Sequence, residues 1–379
     1  MIQRTSKLLI SLLISALLLT GCWDYTDINM MCITVSIGVD SIDGNIEFSG
    51  EIAKIISPTD VPKEQNQASG VYNLLSYGKT FEEARINYNT INPFPVFLGA
   101  TRVVVFGENY AKQGIEAYLH RIDSLYDYRK TLLTAVSRER PKELFEKKVE
   151  KELSVGFLIE DILTHLEENG QALYPKVGEL LSDISFGKIG YLLPYIGIEN
   201  NSIKYLGMVV MKDSKMVDIL KVKDTSGLLY LLSKNPSLVE TIPSTNHEGN
   251  FLSFRTKIKK RKVKTDYIDE KVIINIDLNL TSELQYQHYM DLLSDQDIKK
   301  YEAIISKRVR NSVISIIEKS QKDFKCDIFR FAKIFKGQHP KIYEQIDWKE
   351  AFPNAEINVD VKTKIVNTTL SDTTAKKKY

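Results

Sequence analysis

The stretch VIINIDLNLTSELQY, residues 272–286, decides the fold. Val272, Ile274, Ile276, Leu278, Leu280, Leu284 and Tyr286 hold its even positions, and Asn275, Asp277, Asn279 and Glu283 stand at odd ones. Side chains alternate across a strand, so one face of this strand enters a core and the other meets water. A parallel sheet covered by helices on both sides would show a nearly unbroken apolar run instead. The pattern predicts an antiparallel sheet with one wet face. Residues 356–365 repeat it, with Ile357, Val359, Val361 and Ile365 inward and Glu356, Asn358, Asp360, Lys362 and Lys364 outward.

Helices separate these strands. Ser294 and Asp297 cap a long helix reaching Lys319, whose apolar stripe is Ile298, Tyr301, Ile305, Val309, Ile316 and Ile317. Shorter helices are predicted over 328–335 and 340–346. Upstream, strands are expected over 203–211, 216–220, 238–242 and 250–263, with a helix over 226–233. The N-terminal half opens on a hairpin, 33–39 and 46–52, around Asp43-Gly44. It then alternates helices (80–91, 108–122, 153–168) with strands (101–106, 131–137), the pattern of a mixed α/β domain. The Gly-, Pro- and Asn-punctuated stretch 187–201 marks the main boundary. The expected fold is α+β and multi-domain, with mixed or antiparallel sheets packed with helices. Its segments are a signal peptide (1–21), an N-terminal α/β domain (22–198), a mostly-β middle domain (199–266), a C-terminal α+β domain (267–367) and a disordered tail (368–379).

The leader carries Arg4 and Lys7, then LLISLLISALLL at 8–19. Twelve helical residues rise only about 18 Å, too short for a bilayer core but suited to an export signal. Leu19-Thr20-Gly21-Cys22 resembles the bacterial lipobox, with small residues before a thiol. That thiol can accept a diacylglyceryl group, and cleavage after Gly21 frees the α-amino group of Cys22 for N-acylation. Acyl chains of palmitate length, each CH₂ contributing about 0.8 kcal/mol, hold such a body at the membrane. A lipoprotein anchored at Cys22 is therefore expected.

Composition narrows the rest. Losing Arg4 and Lys7 takes the formal charge from +2 to zero, which gives a nucleic-acid partner no support. Cys32 and Cys326 are the other cysteines, far apart in sequence, and are expected as isolated thiols. His120, His165, His247, His288 and His339 stand singly, so no metal site is expected. Two S-x-x-K matches, Ser76–Lys79 and Ser185–Lys188, lack the companion motifs that catalysis there requires. No catalytic, cofactor or metal residues are assigned, and the carboxylates are expected on solvent faces. The basic run KIKKRKVK, 257–264, reads as an edge strand protected by lysines or as a contact for anionic lipid headgroups.

Several stretches together resemble the Ger(x)C family, the C subunits of nutrient germinant receptors in endospore-forming bacteria. They are GCWDYTDIN (21–29), SIGVD (36–40), GKTFEEAR (78–85), VVVFGENYAKQGIEAYLHRI (103–122) and the long run from Cys326 to Ile365. The resemblance implies a non-enzymatic lipoprotein on the outer face of the spore inner membrane or cell membrane. It implies a role in germination alongside an A subunit and a permease-like B subunit. The rival is a solute-binding lipoprotein of a transporter, which needs two parallel-sheet lobes; the alternating strands at 272–286 and 356–365 oppose it.

Overall fold

A computed structural model describes residues 27–54, 70–125, 127–149, 152–289 and 293–368. Leu19, Thr20, Gly21 and Cys22, residues 55–69 (most of the polar stretch 58–70, expected as a loop) and the tail from 369 lie outside these residues. Strands β1 (Cys32–Ile42) and β2 (Asn45–Ala53) form the opening hairpin. Asp43 and Gly44 turn it with positive φ values of 50° and 76°, the conformation a two-residue hairpin loop demands. β3 (Val71–Gly78) extends it antiparallel. Thr80 then accepts from Glu83 N at 3.2 Å and starts α1 (Phe81–Thr90).

The chain continues through β4 (Val96–Phe97), β5 (Val103–Gly107), α2 (Glu108–Gln113), α3 (Glu116–Ser124) and β6 (Leu133–Ser137). The single helix expected over 108–122 is two helices. Gly114 sits between them at φ 130°, outside helical geometry, and Ile115 N donates to Ser214 O. Next come α4 (Pro141–Phe145), α5 (Val155–Glu168), α6 (Val177–Phe186), β7 (Tyr191–Glu199), β8 (Ser202–Lys212) and β9 (Lys215–Lys221). These strands build one sheet in the order β3-β2-β1-β5-β6-β7-β8-β9, with β4 paired to β1. Its centre, β1-β5-β6-β7, is parallel, and both flanks are antiparallel.

After α7 (Ser226–Leu232), strands β10 (Ser237–Pro243), β11 (Phe251–Ile268) and β12 (Lys271–Gln287) start a second sheet. Residues 199–266 are thus divided between the two sheets. Helices α8 (Asp295–Lys319), α9 (Phe331–Gln338), α10 (Pro340–Tyr343) and α11 (Trp348–Ala351) lead to β13 (Glu356–Asn367), giving the order β10-β11-β12-β13. Val272 through Leu284 alternate as read from the sequence, with Tyr286 exposed where β12 outruns the core. The purely antiparallel expectation fails at one pair: β13 runs parallel to β12. The helical crossover between them is what permits this.

One face of the first sheet and the inner face of the second share a single apolar core. Val103, Val105, Leu133 and Ala135 of the first belong to the same cluster as Ile274, Ile276, Leu278 and Leu280 of the second. Tyr301, Ile305, Val309, Val313, Ile316 and Ile317 of α8 fill it. Each such side chain contributes roughly 1.5–3 kcal/mol. The opposite face of the first sheet carries its own core, in which α2, α3 and α6 pack Tyr110, Tyr118, Leu119, Ile122 and Leu180 over Ile37, Val104 and Phe106. The centre of the first sheet is therefore buried on both faces, the second sheet on one.

Candidate functional site at the junction of the two sheets

The segment Cys326–Lys333 joins the two sheets. Gly190 N, just before β7, donates to Asp327 O at 3.0 Å, and a Cβ on Gly190 would stand 2.5 Å from Cys326 Sγ. Only glycine admits that approach. Asp327 is fully enclosed, and its carboxylate gathers four N–H donors. Oδ1 accepts from Phe329 N (2.9 Å) and Phe331 N (3.2 Å), and Oδ2 from Ala332 N (2.7 Å) and Trp348 Nε1 (3.2 Å). Burial pushes this carboxyl up to about 6, and the four donors work against that shift. Asp327 thus ties the α9 N-terminus to Trp348, itself buried against Phe335 and Phe352.

Arg330 precedes α9 in the left-handed region, φ 63°. From there its Nε and Nη2 reach Asp183 Oδ2 of α6 at 3.0 and 2.8 Å, and Lys333 Nζ reaches Asp183 Oδ1 at 2.6 Å. Asp183 is 1% exposed, so this three-residue clamp is largely desolvated on its acidic side. Lys349 and Asp213 add an exposed pair at 2.7 Å. A cavity of about 280 Å³ opens beside the clamp, lined by Glu167, Tyr174, Asp183, Tyr191, Lys234 and Arg330. Burial raises the Glu167 carboxyl. A second, apolar cavity of about 920 Å³ lies where α5 faces β7–β9, lined by Ile162, His165, Tyr195, Ile203, Tyr205 and Leu206.

Carboxylates do not all lie on solvent faces, contrary to the expectation from pattern. Asp40, Glu47 and Glu51 on β1 and β2 are each at most 2% exposed. Glu51 Oε1 accepts from Val155 N (2.9 Å) and Oε2 from Gly156 N (2.8 Å), with Ser36 Oγ donating to the same oxygen. It caps α5 where the helix dipole favours negative charge. Asp40 Oδ1 accepts from Tyr110 N (3.2 Å) in the first turn of α2, and Glu47 pairs with Arg140. Burial raises the carboxyls of Asp40 and Glu51. The signal missed in the sequence is the company these acids keep. Ser36, Gly38, Ser49 and Gly156 are small, and a Cβ on Gly38 would stand 2.3 Å from Pro141 Cβ. Small residues beside acids on a strand mark a face on which helices dock.

The remaining candidates stay apart. Ser76 Oγ donates to Ala84 O at 2.8 Å, and Lys188 Nζ to Ile346 O at 3.4 Å, so neither S-x-x-K match forms a joined pair. His120 faces Glu116, His288 faces Tyr286, and His339 meets Thr265 O. Among the described residues no group of three or more His, Cys, Asp or Glu is placed to hold a metal ion. Cys32 and Cys326 are buried free thiols, and burial pushes Cys326 up to about 12. No described helix is long and apolar enough to cross a membrane.

A sheet buried on both faces, clamped to a sheet buried on one, defines a two-sheet α+β protein whose buried charges hold its elements together. Comparison with known proteins places that architecture. A model described as the Spore germination protein N-terminal domain matches residues 24–198, and one described as Spore germination B3/GerAC like, C-terminal, matches 206–369. The chain belongs to the Ger(x)C family of spore germination proteins. Spore germination protein B3 of Bacillus subtilis (strain 168) is 24% identical over 366 residues, spanning 93% of this chain and 95% of that protein. Spore germination protein A3 of the same organism is 24% identical over 369 residues, with the same coverage. The crystal structure of the GerBC protein shares the fold, with a TM-score of 0.58 over 87% of this chain and 97% of that one, at 18% identity.

Proposed function

We propose that the chain is the lipid-anchored, non-enzymatic C subunit of a nutrient germinant receptor, required for germination in response to small nutrients. The observation that carries this is the continuity of the family match. It spans nearly the whole chain and begins two residues after Cys22, at the end of Leu19-Thr20-Gly21-Cys22. In this reading Cys22 carries the S-diacylglyceryl and N-acyl groups, and the body lies on the outer face of the spore inner membrane. Confinement there raises its effective concentration toward an A subunit and a permease-like B subunit. Its work is assembly or signal coupling, consistent with buried acids that are spent on capping helices and clamping elements.

The test is Cys22→Ala. The wild-type N-terminal peptide is expected to start at Cys22 with acyl mass, and the variant to lack that mass, leave its normal membrane fraction and abolish the response to its nutrient. An unmodified Cys22 in wild type, or a full germination response in the variant, sinks the proposal.

A further inference from the structure

The basic run at 257–264 takes on a specific geometry. β10 pairs with β11 only as far as Lys257, and a bulge between Ile258 and Lys260 shifts the register of β11 on β12. The bulge turns Arg261 inward, where Nη1 donates to Tyr230 O and Ser233 O at 3.0 Å. Lys257, Lys260, Lys262 and Lys264 all stand on the outer face of the second sheet. Register across three strands then sets up rows: Lys257–Thr281–Lys364, Lys260–Asn279–Lys362, Lys262–Asp277–Asp360 and Lys264–Asn275–Asn358.

The first two rows contain no acid. Four lysines frame Thr281 and Asn279, roughly 10 Å apart across the strands at about 4.8 Å per strand. Lys362 pairs with Asp360 at 2.9 Å, but Lys257, Lys260 and Lys364 have no ion-pair partner among the described residues. The acids on this face, Asp266, Asp277, Glu283, Glu356 and Asp360, flank the patch and leave its centre positive.

Edge protection does not account for the lysines. The open edge of β11 is already plugged: Thr265 N donates to Gln338 Oε1 (2.8 Å), His339 Nε2 meets Thr265 O (2.7 Å), and Gln338 Nε2 donates to Val263 O (3.4 Å). The far edge at β13 is plugged by one stripe of α8. Glu302 accepts from Ile365 N (2.9 Å), Ser306 from Thr363 N (3.0 Å), and Arg310 donates to Val359 O (2.9 Å). With the stretch of β11 beyond β10 and the β13 edge both occupied by side chains of the helical segment, strand addition is blocked there, and among the described residues no element covers the outer face.

We propose that this outer face, centred on Lys257, Lys260, Lys362 and Lys364, lies on the anionic phospholipid headgroups of the membrane that holds the chain. A sheet face presenting clustered ammonium groups around a hydroxyl and an amide complements a layer of phosphates, and lysines near such a surface each add to binding. The inference rests on the Cys22 anchor, which keeps the body beside a bilayer. It makes the tether orienting: lipid at the N-terminus fixes distance, and the lysine face fixes which side of the protein looks down.

The test is lysine acetylation footprinting of the full chain on vesicles, read by mass spectrometry together with the acyl state of Cys22. On phosphatidylglycerol vesicles the four lysines are expected to react about tenfold more slowly than on phosphatidylcholine vesicles. Lys112 and Lys322, on other elements, are expected to be unchanged. Raising salt to about 0.5 M should erase the difference, because surface attraction is screened. Replacing the four by Gln should leave the melting temperature unchanged and remove the preference of the remaining footprint, Lys262 and Lys264, for the anionic vesicles. Equal reactivity on the two lipids, with Cys22 acylated and the protein bound to both, overturns the inference and leaves the anchor standing. Protection on anionic lipid with Cys22 unmodified supports the face and removes the anchor. Protection in spore membranes but not on pure lipid assigns the face to an acidic protein partner and overturns the proposal.

Discussion

The two sheets handle polar residues in opposite ways. On β1 and β2 the acids Asp40, Glu47 and Glu51 are inside, and each has a fixed partner on another element. On β11, β12 and β13 the polar residues of one whole face are outside, and several of their charges have no ion-pair partner among the described residues. The difference follows from what covers each sheet. Helices on both faces of the first leave no water to satisfy a carboxylate, so each acid becomes a joint between elements. Helices on one face of the second leave the other free to meet a partner. A polar substitution should therefore be costly in the first sheet and at the junction, and cheap on the outer face of the second.

The largest effect is expected where the two regions meet. Asp327→Ala leaves four buried N–H groups without an acceptor, and is expected to cost at least about 3 kcal/mol, measured by urea unfolding. Asp327→Asn separates charge from shape. Because burial holds the Asp327 carboxyl up at about 6, the folded chain keeps a proton there that the unfolded chain has released above the ordinary aspartate value. Its stabilising contribution is full below that ordinary value and is lost as pH rises through about 6. The wild-type advantage over Asp327→Asn should accordingly shrink between about pH 4 and pH 6. A constant or widening gap would show that the four donors outweigh burial.

Glu51→Gln comes next. The carboxamide keeps one acceptor for Val155 N but opposes Gly156 N with its own N–H₂, and it surrenders the charge at the α5 terminus. A loss of about 1–2 kcal/mol is expected in thermal or urea unfolding. Hydrogen exchange should localise it to the first turn of α5. A loss spread evenly over the chain would mean that Glu51 is not specifically the joint between β2 and α5.

Most of this architecture was legible in the sequence wherever periodicity met a single environment. β12 alternates because one of its faces is wet, and α8 shows its stripe because it lies on one core. The capping residues Thr80 and Ser294 stand where pattern placed them. Legibility failed where the environment came from distant elements. The small residues beside Asp40 and Glu51 mark a face where helices dock, but nothing local says that the helices beginning there are α2 and α5. The parallel pairing of β13 is set by the crossover and not by either strand. The bulge at Ile258/Lys260 moved Arg261 inward, which strict alternation along 257–264 does not foresee. The proposed anchor at Leu19-Thr20-Gly21-Cys22, by contrast, rests on local chemistry alone, so its reading depends on no distant element.

The smallest expected effect offers the sharpest contrast, because it compares neighbours on one strand. Thr281 faces outward on β12 and Ser282 faces the core, where its hydroxyl meets Thr256 Oγ1 at 2.9 Å. Thr281→Val removes a hydroxyl that water can replace, and should shift stability by less than about 0.5 kcal/mol. Ser282→Ala removes the Ser282 partner of the buried Thr256 hydroxyl and should cost about 1 kcal/mol. Adding Thr256→Val to Ser282→Ala should recover most of that loss, since removing both partners leaves no orphan, and the double-mutant cycle reports the coupling directly. If Thr281→Val costs as much as Ser282→Ala, the outer face is not free, and the division between a sheet that spends its polar groups inside and one that offers them outside does not hold.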